Sequence, residues 1–316
     1  MISICICTYN RSEGLRRTLD SLARQKNINL GTIEVLIVDN NCTDNTANVV
    51  DLFREKLPLR RVTEIQQGLA HARNRAVAEF QGDVLIFTDD DVRPEPGWLT
   101  AYQDAIRRFP DADYFGGRIL PDWGQAKPRW IRNNALPLID GVLVWFDHGT
   151  DTRPVGTTEA LPWGASLAIR RRLFQKIGLF RVDLGTGGSA LGRGEETEFL
   201  IRARDAGAYG VYVGEAVCFH AYDPKRLTLA ALYRYGIASG RSHNAIADRL
   251  HRGGYGAAAW FVIRGVVQLL KGRGDRFRQC IINAGIEMGT RKSIIGDAPK
   301  VSFEIPSKRL NKYPEF

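Results

Sequence analysis

Three consecutive aspartates, Asp89, Asp90 and Asp91, come one residue after an apolar run at 84–87. Adjacent carboxylates repel each other unless a divalent cation or hydrogen-bond donors share the site. Open α/β sheets bind ligands beyond the carboxyl ends of their strands, which is where these side chains lie if residues 84–87 form a central strand. The run therefore predicts a metal site. The alternative is a solvated acidic turn, because Asp is common in turns.

The elements that must position these aspartates are strand-like and helix-like segments that alternate along the first ninety residues. Apolar runs predict strands at residues 2–7, 33–38, 62–65 and 84–87, and helical patterns predict helices from 12, from about 44 and over 69–80. This order predicts an α/β fold with a Rossmann-like, mostly parallel sheet and helices on both faces. Polar residues follow the first, second and fourth strands, so we expect them to converge on one cleft.

The rest of the chain differs from this regular beginning. Residues 98–222 are irregular and include a glycine-rich stretch at 185–194. That stretch predicts a mobile loop beside a site or a surface connection, and it lacks the Gly-Lys-Ser/Thr ending of a phosphate-binding loop. After Pro224 the pattern is helical, mainly over 227–250 and 255–270. We therefore expect a catalytic domain at 1–225 and a mainly helical region at 226–316.

The charge of this chain of 316 residues is unevenly distributed. The formal net charge is +9, and residues 226–316 hold 16 Lys and Arg against 6 Asp and Glu, so the whole excess lies in the C-terminal region. Such a split predicts a near-neutral catalytic domain followed by a region that faces an anionic partner. Nucleic acid is not expected as that partner, because no recognition motif accompanies the basic residues.

Residues 255–270 are the most apolar part of the C-terminal region. They number only 16 and are interrupted by Arg264 and Gln268, which is too short and too polar for a membrane span. With basic residues on both sides, the segment fits a helix that lies on an anionic membrane surface. The alternatives are a helix packed on the catalytic domain and a contact in a homo-oligomer.

The cysteines and the N-terminus bear on the cellular compartment. The five cysteines include no C-x-x-C pair, and Met1 leads directly into an apolar strand without a basic segment or a cleavage site. We therefore expect reduced cysteines, no cleaved signal peptide and a cytoplasmic protein that associates peripherally with the inner face of the cell membrane.

Six separated segments resemble, in order and spacing, motifs of family 2 glycosyltransferases, which have the GT-A fold. Four resemble the nucleotide-sugar-binding half and two resemble the acceptor-side motifs: residues 2–11, 38–40, 68–74 and 87–91, then 163–166 and 194–199 with Arg202. The resemblance covers about residues 1–225 and does not extend clearly to the C-terminal region.

The resemblance implies a nucleoside diphosphate-sugar donor, with UDP expected before GDP, and a divalent cation, Mn²⁺ or Mg²⁺, at oxygen ligands. Asp91 and Asp90 are the expected metal ligands, and the triple run leaves their register open. His220 either completes the metal shell or is an ordinary packed histidine. The expected donor-binding residues are Thr8, Tyr9, Arg11, Asp39, Arg73, Asp89, Asp90, Trp163 and Gly164.

The expected general base is a glutamate of the second acceptor-side motif. Glu196 stands where the family usually has Asp, and Glu195 and Glu198 are alternatives. The same residues would also suit the acidic first turn of a helix. The resemblance implies inversion by single displacement and a role in cell-surface glycan synthesis, with a lipid-linked or oligosaccharide acceptor. The alternatives are a sugar nucleotidyltransferase and a non-catalytic protein that binds sugar or membrane.

Overall fold

The computed structural model describes residues 1–124, 127–131, 137–156, 159–187, 192–247 and 255–294. Over these residues nine strands form one sheet: β1 Ile2–Thr8, β2 Ile33–Asp39, β3 Leu59–Thr63, β4 Val84–Asp89, β5 Val92–Pro94, β6 Tyr114–Asp122, β7 Arg153–Pro154, β8 Ser166–Arg170 and β9 Gly210–Ala221. The described helices are α1 Ser12–Ala23, α2 Thr46–Leu52, α3 Leu69–Glu79, α4 Trp98–Arg108, α5 Pro137–Leu143, α6 Arg171–Ile177, α7 Glu195–Asp205, α8 Leu229–Ala247, α9 Tyr255–Leu270 and α10 Gly274–Ile294.

The strand order is β3-β2-β1-β4-β8-β6-β9-β5, with β7 paired to β9. The first four strands are parallel, as are β6 and β9, whereas β8 runs antiparallel to both of its neighbours. The predicted α/β fold is confirmed, but the sheet is mixed, because four of the eight pairings between the described strands are parallel and four are antiparallel. The antiparallel β8 in the middle of the sheet is a feature that the sequence pattern did not predict.

Burial on both faces explains the continuous apolar runs of the central strands. All seven residues of β2 are buried. Alternation along β1 sends Ile4 and Ile6 into one core with Leu15 and Leu19 of α1, and Cys5 into a second core with Ala72 of α3. The sheet therefore separates two apolar layers, and both hold its carboxyl edge in place.

The strand register brings the polar strand ends together. Thr8 lies opposite Asp39, and Cys7 lies opposite Asp89, so the ends of β2, β1 and β4 meet at one edge. On the other side β5 pairs with β9, which places His220 opposite Val92, immediately after the aspartate run. The expected convergence on one edge is thus present, and a residue from β9 joins it.

One predicted boundary was wrong by a few residues. The third strand is Leu59–Thr63, not 62–65, because the amides of Asn40 and Asn41 donate to the carbonyls of Glu64, Ile65 and Gln66 and hold that segment outside the sheet. The second helix, predicted from about 44, begins at Thr46, because the Asp44 carboxylate accepts hydrogen bonds from Ser12 N and Thr46 N.

The C-terminal helices pack on one another and on α5. Gly236 and Gly240 of α8 lie against backbone carbonyls of α10, and Gly285 and Gly289 of α10 lie against those of α8, so side chains there would separate the helices. A third apolar cluster joins α5, α8 and α10 through Val142, Leu232 and Ile282. No helix among the described residues has the length and hydropathy needed to cross a membrane. The boundary near residue 225 stays a prediction.

Candidate active site

A cavity of about 810 Å³ opens at the carboxyl edge of the sheet. Of the fourteen candidate residues named from the sequence, all except Asp39 and Glu198 line it. Thr186 and Gly187 of the glycine-rich stretch also line it, and residues 188–191 of that stretch lie outside the described residues. The cavity therefore joins the aspartate run to the glutamates of α7.

Asp89, Asp91 and His220 form a cluster in which one ligand atom from each lies within 4.8 Å of the others. The Nε2 of His220 is 3.3 Å from Oδ1 of Asp91, and its Nδ1 is 3.1 Å from the carbonyl oxygen of Ala221. A hydrogen bond from Nδ1–H to that carbonyl leaves the lone pair of Nε2 facing the cluster. Two carboxylates and an imidazole are a suitable ligand set for Mn²⁺, and the carboxylates also suit Mg²⁺.

Asp90 is not part of this cluster. Its carboxylate accepts hydrogen bonds from Thr8 Oγ1 at 2.8 Å and from Arg11 Nη1 at 2.9 Å. Arg11 Nη1 also donates to Oδ2 of Asp91 at 2.8 Å, so one guanidinium links Asp90 to the cluster. Asp90 thus ties β1 to the aspartate run.

The three carboxyl groups differ in pKa. Burial, together with the charge of Asp91, raises the pKa of Asp89. Burial also raises the pKa of Asp90 to about 6, against the opposing effect of Arg11. Burial acts on Asp91 in the same direction, but His220, Arg11 and Arg226 outweigh it and lower its pKa. Asp91 is therefore the carboxylate that most firmly retains its negative charge.

At the nucleotide end of the expected site, Asp39 has structural partners. Its Oδ1 accepts a hydrogen bond from Cys42 N at 2.8 Å, and its Oδ2 lies 3.4 Å from Arg61. The neighbouring Asn40 lines the cavity instead, and its Oδ1 accepts the N–H of Gly68 at the start of α3. Tyr9 lies at the cavity with half of its surface exposed.

Across the cavity, Arg73 is held by both glutamates at the start of α7. Its Nη1 is 2.5 Å from Oε1 of Glu195 and 3.3 Å from Oε2 of Glu196. The side chains of Arg73 and Glu195 are buried, whereas that of Glu196 is 21 % exposed. Gly164 leaves the space that the guanidinium occupies, since a Cβ there would lie 1.9 Å from Arg73 Nη2.

The two glutamates also differ in pKa. Burial and the charge of Glu196 raise the pKa of Glu195 to about 8. Burial acts on Glu196 as well, but the charge of Arg73 outweighs it and lowers its pKa. Glu198, the remaining alternative, accepts two hydrogen bonds from Arg202 and is not among the residues lining the cavity. Of these three glutamates, Glu196 is therefore the one whose carboxylate is ionised and faces the cavity.

Sequence reasoning missed the wall of the cavity that α8 supplies. Its lining residues recur at helical spacing on one face of α8: Tyr235, Ser239, Ser242, His243 and Ile246. Arg193, whose guanidinium lies 4.1 Å from the centre of the Tyr235 ring, and Arg226, 3.7 Å from Asp91, were missed as well. The spacing along α8 is a signal in the sequence, but nothing local shows that this face meets the cleft.

Comparison with known proteins gives a family match and distant relatives. A family model described as Glycosyl transferase family 2 matches residues 3–178. A glucosyl-dolichyl phosphate glucuronosyltransferase of Haloferax volcanii is 25 % identical over 207 residues, which are 64 % of this chain and 62 % of that protein. This chain thus aligns with less than two thirds of that relative's length.

Two solved structures share the fold over most of both chains. The mannosyltransferase PcManGT from Pyrobaculum calidifontis, in complex with GDP-Man and Mn²⁺, aligns with a TM-score of 0.58 and 18 % identity over 91 % of this chain and 86 % of that one. TarS 1-349 of Staphylococcus aureus, in complex with UDP, aligns with a TM-score of 0.53 and 15 % identity over 93 % of this chain and 91 % of that one.

Proposed function

Since this chain belongs to glycosyltransferase family 2 and has the GT-A fold, we propose that it transfers a sugar from a nucleoside diphosphate-sugar to an acceptor hydroxyl with inversion, assisted by a divalent cation. Family membership supports a glycosyltransferase over the nucleotidyltransferase and non-catalytic alternatives. The observation that carries the proposal is the presence of the Asp89, Asp91 and His220 cluster and of Glu196 in one cavity.

The diphosphate is proposed to lie at the aspartate cluster. Asp89, Asp91 and His220 would hold the cation, which when bound neutralises charge on the pyrophosphate leaving group. Arg11 and Arg226 contact Asp91 and are each more than a third exposed, so they are the cations that can turn to phosphate oxygens. Asp90 keeps Thr8 and Arg11 in position for this contact.

The nucleoside is proposed to lie at the carboxyl ends of β1 and β2. Tyr9, Asn40 and Gln67 line the cavity there, next to Asp39. A UDP-sugar remains the expected donor, although the two structures that share this fold hold GDP-Man in one case and UDP in the other. Trp163 and Gly164 line the part between the aspartates and α7, where the sugar would lie.

Glu196 is proposed as the general base that takes the proton of the acceptor hydroxyl. It is ionised, partly exposed and directed into the cavity, as this role requires. Nη1 of Arg73 contacts the carboxylates of both Glu196 and Glu195, and so holds the Glu196 side chain in place. Single displacement with inversion needs base and leaving group on opposite sides of the anomeric carbon, and the two clusters are separate groups within one cavity.

The acceptor is proposed to enter along α8 and to be lipid-linked or an oligosaccharide, in assembly of a cell-surface glycan. Two observations support a lipid-linked acceptor, namely a relative whose name specifies glucosyl-dolichyl phosphate and the basic C-terminal region. The corresponding location is the cytoplasm, peripherally at the inner face of the cell membrane.

Screening UDP- and GDP-sugars with Mn²⁺, Mg²⁺ or EDTA tests this function. We expect one donor class to raise the melting temperature in the presence of metal, because ligand binding stabilises the folded state. With an acceptor, mass spectrometry should find a nucleoside diphosphate and a glycoside whose anomeric configuration, determined by NMR, is inverted. Release of pyrophosphate, or retention of configuration, would contradict the proposal. Glu196→Gln serves as the control that binds donor but transfers poorly.

A further inference from the structure

Helix α9 exposes most of its large apolar residues to solvent and buries only two small ones, Ala258 and Gly265. The residues that face α10 recur at positions i, i+3, i+7 and i+10, and they are Ala258, Phe261, Gly265 and Gln268. Ala258 and Gly265 are buried, and a Cβ on Gly265 would lie 3.1 to 3.2 Å from Phe277 and Cys280 of α10. The inner stripe is therefore closely packed but contributes little apolar surface.

The opposite side of α9 forms an outward apolar face. Trp260 is 51 % exposed, Ile263 is 65 % exposed and Leu270 is 83 % exposed. Val262, Val266, Val267 and Leu269 of the same helix are exposed as well. A helix on the surface of a water-soluble protein normally turns its apolar side to the core, so this reversed arrangement indicates an apolar partner.

The charges beside this face indicate an anionic partner as well. Lys271, Arg273 and Arg276, here named the basic turn, are exposed where α9 leads into α10 and follow directly on Leu269 and Leu270. Helix α9 contains no acidic residue, and its one cation, Arg264, lies over the ring of Trp260 at 5.1 Å. A long cationic side chain can keep its head in water while its stem lies on apolar surface.

A membrane interface fits this combination better than a second copy of the chain. Acyl chains beneath anionic headgroups offer apolar contact and negative charge together, whereas a second α9 would bring equal positive charge and no carboxylate. The 16 residues of α9 are about 24 Å long, less than the roughly 30 Å of a hydrocarbon core, which favours a helix parallel to the surface.

We propose that α9 lies in the interface of an anionic membrane, with its outward apolar face among the acyl chains and the basic turn among lipid phosphates. Helix α10 packs on α9 and also on α8, which lines the cavity. Membrane docking through α9 would thus hold the cavity beside the lipid surface. Docking does not depend on the transfer chemistry, so each can fail without the other.

Co-sedimentation of the full chain with vesicles tests the docking. Vesicles of phosphatidylcholine with about a third phosphatidylglycerol should bind the protein at least tenfold more strongly than phosphatidylcholine alone. The triple variant Trp260→Ser, Ile263→Ser, Leu270→Ser should lose at least tenfold in binding. Its matched control, Leu52→Ser, Ile65→Ser, Leu179→Ser, removes three exposed apolar side chains elsewhere and should bind like the wild type.

Charge variants separate the two parts of the surface. Lys271→Gln, Arg273→Gln, Arg276→Gln should lose the preference for phosphatidylglycerol, while Arg24→Gln, Arg54→Gln, Arg107→Gln, which removes three exposed charges elsewhere, should keep most of it. Equal binding by the apolar variant and its control would overturn the proposal. Two other results would also overturn it. In the first, the wild type binds no vesicles and is a dimer, and the apolar variant is a monomer. In the second, the wild type binds no vesicles and the apolar variant is less stable, which would indicate that other residues of the chain cover the face.

Discussion

Two groups of carboxylates in the cavity differ in how their charge is balanced. Asp91 is contacted by Arg11, His220 and Arg226, and both arginines are more than a third exposed. Glu195 and Glu196 share Arg73, whose side chain is only 4 % exposed. An exposed arginine can turn from its carboxylate to a ligand at little cost in free energy. A buried arginine cannot, because its carboxylate would then be a buried charge without a partner. The aspartate group is suited to ligand exchange, and the glutamate group to fixed proton chemistry.

The two groups also share a property. In each, one carboxyl group has a raised pKa and its neighbour a lowered one: Asp89 against Asp91, and Glu195 against Glu196. Burial acts on all four; Arg11, His220 and Arg226 lower the pKa of Asp91, whereas Arg73 acts on both glutamates and burial outweighs it only at Glu195. Because such pairs titrate as a unit, removing the ionised member should have a larger effect than neutralising the other.

The largest effect is expected for Asp91→Asn. This change removes the charge that Arg11, His220 and Arg226 contact, and with it a proposed metal ligand. We expect kcat/KM to fall about 10³-fold and the Mn²⁺ or Mg²⁺ concentration needed for half-activation to rise. Initial rates of nucleoside diphosphate release against metal concentration measure both. Asp104→Asn, which removes a surface partner of Arg107, is the control, and equal rates for the two variants would contradict the metal role.

The next largest effect is expected for Glu196→Gln, which cannot accept a proton. We expect kcat to fall about 10²- to 10³-fold, with little change in the KM of the donor. Glu195→Gln should lose less than about tenfold, because glutamine resembles the protonated form that the pKa of about 8 favours. Steady-state kinetics on both variants decide whether Glu196 or Glu195 is the general base. The reverse order of losses would reassign the base to Glu195.

A pH-dependent effect on stability is expected from Glu195. The pKa of Glu195 is about 8 in the folded protein, against an ordinary value of 4.5, so between these pH values the folded state keeps a proton that the unfolded state has lost. The contribution of Glu195 to the free energy of unfolding therefore falls as pH rises, by about 2–3 kcal/mol between pH 5.5 and 7.5. Urea unfolding at both pH values measures this, and Glu195→Gln should lack it. Identical pH dependence in wild type and variant would exclude the raised pKa.

The sequence predicts the aspartate group better than the glutamate group, for a physical reason. β1, β2 and β4 are buried on both faces, so apolar runs mark them, and their parallel register brings Thr8 and Asp89 to one edge. The pairing of Arg73 with Glu195 spans 122 positions and depends on packing that leaves no local periodicity. The same holds for β8 and for the α8 wall. The proposed assignment of Asp89 and Asp91 to the metal depends on the hydrogen bond between Thr8 and Asp90, which no local sequence pattern predicts.

The smallest effect is expected for Gly164→Ala, and it tests whether the glutamate group is as fixed as its burial indicates. A Cβ at Gly164 would lie 1.9 Å from Nη2 and 2.7 Å from Cζ of Arg73, which Glu195 holds in place. We expect a loss of about 2 kcal/mol in the free energy of unfolding and about tenfold in kcat, because an overpacked site must displace the guanidinium. Gly97→Ala, where no atom lies within 4 Å of the new Cβ, should change stability by less than about 0.5 kcal/mol. If Gly164→Ala and Gly97→Ala change the free energy of unfolding equally, and Gly164→Ala leaves kcat unchanged, then Arg73 can move as freely as Arg11. The contrast between the two carboxylate groups would then disappear.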